Sequence, residues 1–166
     1  IGQLRSLLAS PSQAGWRAAF RILNDWPNAR ELDEVTMPYV RSILEHWPQD
    51  FIRWAPSALL QEFPQHKRRF PAAWPLVQGL ELSECVRLDS DLMNAAKQRW
   101  LAPHIEHLHI HPARYVHPSL PGLQHPEAKL PNLRVLSLRG NHHHAALIEI
   151  LVNREPFERL EVLDLR

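Results

Sequence analysis

The chain has 166 residues, a length suited to one domain or one short repeat array. Hydrophobic residues make up 45% and charged residues 22%, and the net charge of +1 gives no overall field that favours nucleic acid or an anionic membrane surface. No apolar run reaches the roughly 18 residues of a transmembrane helix, and the single cysteine, Cys85, excludes an internal disulfide framework. We therefore expect a cytoplasmic protein, and the start at Ile1 suggests a processed or trimmed piece.

Residues 1–72 carry patterns typical of short helices separated by prolines. Ser10 and Pro11 predict the start of a helix whose apolar stripe follows at helical spacing: Trp16, Ala19, Phe20, Leu23 and Trp26. Thr36 predicts a second helix, and shorter helical stretches are expected at 50–54 and 57–63. The tryptophans are interpreted as core residues of this helical segment, with an aromatic docking surface as the alternative.

From residue 73 onward the pattern changes to a repeat. Four segments share aliphatic residues at their first, fourth and sixth positions. They begin at Val77, Ile105, Leu133 and Leu160, so that successive segments lie 28, 28 and 27 residues apart. Aliphatic residues at the fourth and sixth positions predict a strand with one buried face. Strands are therefore predicted near 77–83, 105–111, 133–139 and 160–166.

The segment from Leu133 to Asn141 reads Leu-Arg-Val-Leu-Ser-Leu-Arg-Gly-Asn. It matches the motif L-x-x-L-x-L-x-x-N/C in full, and the segment from Val77 to Cys85 matches it with cysteine in the ninth place. The repeat region resembles the leucine-rich repeat family. That resemblance implies a curved solenoid of parallel strands whose concave face binds other proteins.

The predicted fold class is α/β: a short leucine-rich-repeat solenoid at 73–166 behind an all-helical N-terminal cap at 1–72. Convex helices are expected at 90–101 and 143–152, with an irregular proline-rich loop at 112–132. The repeat array stops within a repeat, so we expect it to be truncated at the C-terminus. Self-association through the uncapped end is the alternative to a longer natural chain.

The outward positions of the strands form the predicted partner-binding surface on the concave face. Arg139 and Arg166 are the expected anchors for an acidic partner. We predict a non-enzymatic protein–protein interaction module, part of a larger adaptor or regulatory protein, that binds neither nucleic acid nor membrane and needs no cofactor. The predicted contact residues are Glu81, His107, His109, His111, Ser137, Arg139, Asp164 and Arg166.

Three alternatives concern the same surface. Histidines at every second residue of one strand can chelate a metal ion or respond to pH, although no cysteine pair supports a physiological metal site. Ser137 beside His109 is the pair that a hydrolase needs, but nothing in the sequence supplies an oxyanion hole, so no catalytic residue is assigned. The layout also fits a recognition region of an effector or defence protein.

Overall fold

The structure, a computed structural model, describes residues 1–56, 71–82, 104–111, 130–138, 157 and 159–165. In these ranges, helices come first along the chain and a four-stranded, all-parallel sheet follows. The coarse prediction of an α/β fold with parallel strands is therefore confirmed. Within the described ranges, no helix is long and apolar enough to cross a membrane.

Two helices open the chain, α1 (Gly2–Leu8) and α2 (Gln13–Asn24). The hydroxyl of Ser12 accepts a 3.0 Å hydrogen bond from the Gly15 amide, so α2 begins after Ser12. The predicted start at Ser10 and Pro11 was wrong by two residues, because Ser12 also has a suitable side chain and is the residue with extended backbone angles. The apolar face of α2 is buried as its spacing predicts.

The next helical region starts earlier than predicted. It runs without interruption through α3 (Ala29–Glu31), a π-helical turn (Leu32–Thr36) and α4 (Met37–Leu44). Asn28 caps it by accepting from two backbone amides. The predicted start at Thr36 was wrong, because Thr36 ends the π turn inside the helical region. Pro38 explains the turn, since proline lacks an N–H and its ring needs room near the carbonyl four residues earlier.

The four strands are β1 (Gly79–Leu82), β2 (His107–Ile110), β3 (Val135–Ser137) and β4 (Val162–Asp164), paired in that order. Their register aligns Gly79 with His107, Val135 and Val162 across the sheet. A 3₁₀ turn (Trp74–Leu76) leads into β1. In the first three predicted segments, the aliphatic residues at the first and fourth positions are buried in the core.

An extended segment at 52–55 forms a further rung beside β1. Trp54 makes a parallel bridge to Gly79, and the Ala55 amide donates to the Gly79 carbonyl at 2.8 Å. The helix predicted at 50–54 was therefore wrong, because the backbone of Arg53 and Trp54 pairs with the sheet instead. The other predicted helices at 57–63, 90–101 and 143–152, and the loop at 112–129, lie outside the described residues, as does Cys85.

One buried cluster joins the helices to the sheet, so the packing is continuous between the two parts. The Ala73 amide donates a 2.9 Å hydrogen bond to the Asn24 side chain at the end of α2. The indole N–H groups of Trp16 and Trp47 donate to the carbonyls of Trp54 and Leu8. Buried rings and these directed bonds fix the helices against the first rung of the sheet.

Candidate functional site

The outward face of the sheet carries two rows of aligned side chains. Gly79, His107, Val135 and Val162 form the first row, and Glu81, His109, Ser137 and Asp164 form the second. Parallel strands lie about 4.8 Å apart, so neighbours within a row can touch the same bound group. The structure thus brings together six of the eight predicted contact residues, counting His111 just after β2. Arg139 and Arg166 lie outside the described residues.

Gly79 leaves space on the outward face for another side chain. A Cβ atom at this position would lie 2.5 and 2.7 Å from the Cε3 and Cζ3 atoms of Trp54, and 2.8 Å from Cγ2 of Ile52. These separations are far below van der Waals contact, so only glycine leaves room for the indole. The ring of Trp54 therefore lies directly over β1, on the outward side of the sheet.

From that position Trp54 reaches the histidines of β2. Its ring centroid lies 4.6 Å from that of His109 at a 52° tilt, and 6.1 Å from that of His107 in an edge-on arrangement. The sequence predicts Trp54 as a core residue of a helical stretch, so its place on the outward face was not foreseen. Gly79 was the available signal, because a glycine among outward-facing positions of a strand often marks a close approach by another group.

The carboxyl-terminal end of β2 adds polar groups to this aromatic cluster. His111 Nε2 lies 3.4 Å from Oε1 of Glu81, and the rings of His109 and His111 are 6.4 Å apart, edge to face. Both Glu81 and His111 have side chains at least one-third exposed. A polar contact of this kind, open to solvent, contributes little to stability and leaves both groups accessible to a partner.

A groove of about 670 Å³ runs from His109 to the β4 edge. Val135 and Val162 supply apolar surface, and Val162 is 48% exposed. Ser137 lies low in the groove at 3% exposure, because it is the shortest side chain in its row, between His109 and Asp164. Ser137 therefore lies on the outward face, as predicted, but at the base of the groove, where it offers little exposed surface to a partner. The remaining lining residues are Leu163, Asp164 and Leu165.

A second, more polar pocket of about 740 Å³ lies at the amino-terminal rim of the strands. Arg134 makes two hydrogen bonds to Glu161, at 2.9 and 2.8 Å, in a bidentate pair. Gln78 donates to Glu106 at 3.4 Å in the same rim. The pocket is lined by two arginines and two glutamates, Arg134, Arg159, Glu106 and Glu161, so their formal charges balance and neither sign is in surplus to select a charged ligand.

Proton equilibria on the face follow from burial and from these pairs. Burial is the largest influence on the pKa of His107, and it lowers that pKa. The nearby charges of His109 and Arg134 lower it further, whereas Glu106 and Glu161 raise it by smaller amounts. Burial likewise lowers the pKa of His104, which packs its ring 6.0 Å from that of Trp74. These imidazoles are therefore biased towards the neutral form near neutral pH.

The described part of the face bears on two of the sequence-based alternatives, metal ligation and hydrolysis. There, no group of three or more histidine, cysteine, aspartate or glutamate side chains is arranged to hold a metal ion. His109 and Ser137 are register partners on adjacent strands. Ser137 is buried, with 3% of the residue exposed, so its hydroxyl is poorly accessible from the groove.

Comparisons with known proteins add no assignment to this geometry. The sequence matches no protein-family model, no curated protein and no solved structure.

Proposed function

We propose that this protein is a non-enzymatic protein–protein interaction module that binds its partner on the outward face of the parallel sheet. The observation that carries the proposal is the groove that runs from His109, whose ring contacts Trp54, to β4. An aromatic wall, an exposed aliphatic floor and a polar margin are the features that protein-binding surfaces combine. Large rigid rings such as Trp54 are also the residues that most often dominate binding energy at such surfaces.

We further propose that the fold is a short leucine-rich-repeat solenoid with the helical region as its N-terminal cap. Recurring hydrogen bonds support this architecture. The first residue of three rungs donates to the carbonyl three residues earlier: Val77 to Trp74, Leu133 to Leu130, and Leu160 to Phe157. Identical entry turns at nearly constant spacing are typical of stacked repeats. The concave face of such a solenoid is the face that carries Trp54 and the histidines.

The proposed contact residues line the groove or lie next to it on the same face. His109 lines one end of the groove and contacts Trp54, and Val135 and Val162 supply its apolar surface. Glu81 and His111 are polar neighbours of His109 on the same face. His107 contacts the Trp54 ring in an edge-on arrangement and is half-buried. Arg139, Asp164 and Arg166 remain proposed contact residues. The module is proposed to belong to a larger adaptor or regulatory protein.

A histidine-mediated pH-sensing module is the second candidate. It is favoured by one observation, the chain of ring contacts from Trp54 through His109 to His111 and the Glu81 carboxylate. Histidine is the side chain type whose charge can change between about pH 5 and 8, and a positive charge on these rings would lie next to the Trp54 ring and the Glu81 carboxylate. Partner affinity measured across this pH range separates the candidates, because a simple docking surface would change little.

The test compares two exposed valines. The wild-type chain is used to capture partners, and each captured protein is expressed and titrated by calorimetry against Val162→Asp and Val35→Asp. Val162 is 48% exposed in the groove and Val35 is 49% exposed on the π-helical turn, so both variants should fold. We expect Val162→Asp to weaken binding about tenfold or more and Val35→Asp to leave it unchanged. Equal affinities for the two variants would refute the proposed surface.

A further inference from the structure

Three aromatic side chains and one carboxylate lie together at the β1 end of the outward face. They belong to Trp54, His109, His111 and Glu81, and we call them the Trp54–Glu81 cluster. The ring of His109 lies 4.6 Å from that of Trp54 and 6.4 Å from that of His111. His109 is also the register partner of Glu81 on the adjacent strand. The cluster therefore places aromatic rings and a carboxylate side by side.

The cluster lies where the sheet is paired on both sides. Strand β1 pairs with β2 on one side and is bridged by Trp54 on the other, and β2 pairs with both β1 and β3. The side chains of Glu81 and His111 are nevertheless 52% and 36% exposed, and Trp54 and His109 are partly exposed. A ligand can therefore reach the cluster from solvent without displacing a strand of the sheet.

The fixed charges of the described outward face are negative. Among the residues that the structure describes in the two rows, together with Trp54 and His111, there are two carboxylates and neither lysine nor arginine. The carboxylates belong to Glu81 and Asp164. Complementary charge favours the correct partner and disfavours others, so this part of the face favours a partner with a positive side chain.

Two features of the cluster suit an arginine side chain in particular. Indole attracts cations more strongly than the other aromatic rings do, and the planar guanidinium group stacks on such rings. The contact between Glu81 and His111 is 3.4 Å long, whereas charge-assisted hydrogen bonds measure about 2.7–2.9 Å. The Glu81 carboxylate therefore keeps the capacity to accept shorter hydrogen bonds from the N–H groups of a guanidinium.

The indole is held in place before any partner binds. Gly79 leaves the space that the ring occupies. The backbone on which the ring is carried is fixed on both sides, because the Trp54 carbonyl accepts from the Trp16 indole and the Ala55 amide donates to the Gly79 carbonyl. A side chain that is already ordered loses little conformational freedom on binding, so more of its contact energy contributes to affinity.

We propose that the Trp54–Glu81 cluster binds an arginine side chain of the partner protein. The guanidinium lies against the rings of Trp54 and His109 and donates hydrogen bonds to the Glu81 carboxylate. This inference rests on the proposed function, since it names the chemistry by which the face selects its partner. It differs from the acidic partner expected from Arg139 and Arg166, and probes of opposite charge separate the two.

The probe is N-acetyl-arginine amide, titrated into the isotope-labelled full chain at about pH 8, above the range in which histidines usually take up protons. Nuclear magnetic resonance follows the indole N–H of Trp54 and the ring protons of His109. We expect both signals to shift saturably, with a dissociation constant in the millimolar range. N-acetyl-citrulline amide has nearly the same shape without the charge and should give no saturable shift. Equal or larger shifts with the lysine or glutamate amide would overturn the proposal.

Glu81→Gln and Glu45→Gln form a matched pair of variants. Both glutamates are exposed, and Glu45 follows α4, away from the sheet, so both variants should fold. We expect Glu81→Gln to weaken binding of the arginine amide about threefold or more, because it removes a charged acceptor, and Glu45→Gln to leave it unchanged. Equal affinities of the two variants would overturn the proposal.

The arginine site and the groove can fail separately. Val162 lies on β4, two strands beyond β2, so Val162→Asp should not reduce the affinity for the arginine amide. Absence of saturable binding would overturn the arginine site and leave the groove to be judged by its partner titrations. Equal partner affinities of Val162→Asp and Val35→Asp would refute the groove, while saturable binding that Glu81→Gln weakens would still support the arginine site.

Discussion

The indole of Trp54 lies beside the imidazole of His109 on the outward face of the sheet, with ring centroids 4.6 Å apart. These residues come from distant parts of the chain, one from the extended segment after the helices and one from β2. Their contact exists because Gly79 leaves space above β1. The relationship links the helical half of the chain to the surface that we propose for partner binding.

Gly79→Ala should destabilise the fold. The added Cβ would lie 2.5 Å from the Trp54 ring, so the indole must move, and overpacking of this kind costs about 1–3 kcal/mol. Urea denaturation measures the loss. Gly2→Ala is the matched control, because no atom lies within 4 Å of a Cβ built there. If Gly79→Ala were as stable as Gly2→Ala, the indole could not occupy the place described.

Asn24→Ala should weaken the connection between α2 and the segment that leads into β1. The Asn24 side chain accepts from the Ala73 amide, and Ala73 is fully buried. Removing the acceptor leaves a buried N–H without a partner, at a cost of about 1–3 kcal/mol in unfolding free energy. Asn24→Asp keeps an oxygen acceptor and should retain most of the stability. Equal losses in the two variants would argue against the bond.

Thr36→Val should stabilise the protein. Thr36 is fully buried at the end of the π-helical turn, and its hydroxyl has no hydrogen-bond partner. Valine has nearly the same shape without the polar group, so the gain should be about 1 kcal/mol. Thermal unfolding of Thr36→Val and Thr36→Ser separates the effect of the hydroxyl from that of the methyl group. Serine keeps the hydroxyl and loses the methyl group, so Thr36→Ser should not be stabilised. A stability loss in Thr36→Val would contradict an unpaired hydroxyl.

The stability of the fold should fall in mild acid through His107. Burial holds the pKa of His107 below its ordinary value of 6.5, so the unfolded chain binds the proton at a higher pH than the folded one. The stability is therefore fully present above about pH 6.5 and is lost as the pH falls towards the folded pKa. Urea midpoints at several pH values should show a shallower dependence for His107→Gln than for wild type.

A surface histidine provides the control for this titration. His46 is exposed at the end of α4, away from the sheet. His46→Gln should keep the wild-type pH dependence. A His107→Gln profile parallel to the wild type would show that another group causes the acid sensitivity.

The parallel strands could be predicted from the sequence, because each is marked by a short aliphatic pattern that recurs along the chain. Aliphatic residues at fixed spacing can form adjacent strands only if they stack in register, and the strands found at 79–82, 107–110, 135–137 and 162–164 lie within the patterned segments. The helix boundaries were predicted less well. Ser10 and Ser12 are both able to cap, and the choice depends on backbone angles that the sequence does not display.

The candidate site was only partly predictable for a different reason. Trp54 pairs with Gly79, so the first, fourth and sixth positions of the repeat fall on Ile52, Ala55 and Ser57, and only the first of them is a large aliphatic residue. The aliphatic pattern is therefore too incomplete to predict a strand there. Tryptophan near a helical stripe is also usually a core residue. Trp54 reaches the outward face through pairing with Gly79, a tertiary contact that no local pattern encodes.

The most direct test of the account is a set of nuclear Overhauser contacts in the labelled protein. We expect cross-peaks between the Trp54 indole protons and the ring protons of His109, together with contacts from Trp54 to the Gly79 α-protons. These would place the aromatic wall on the outward face of the sheet. Trp54 contacts confined to core side chains of the helices, with none to Gly79 or His109, would contradict the account.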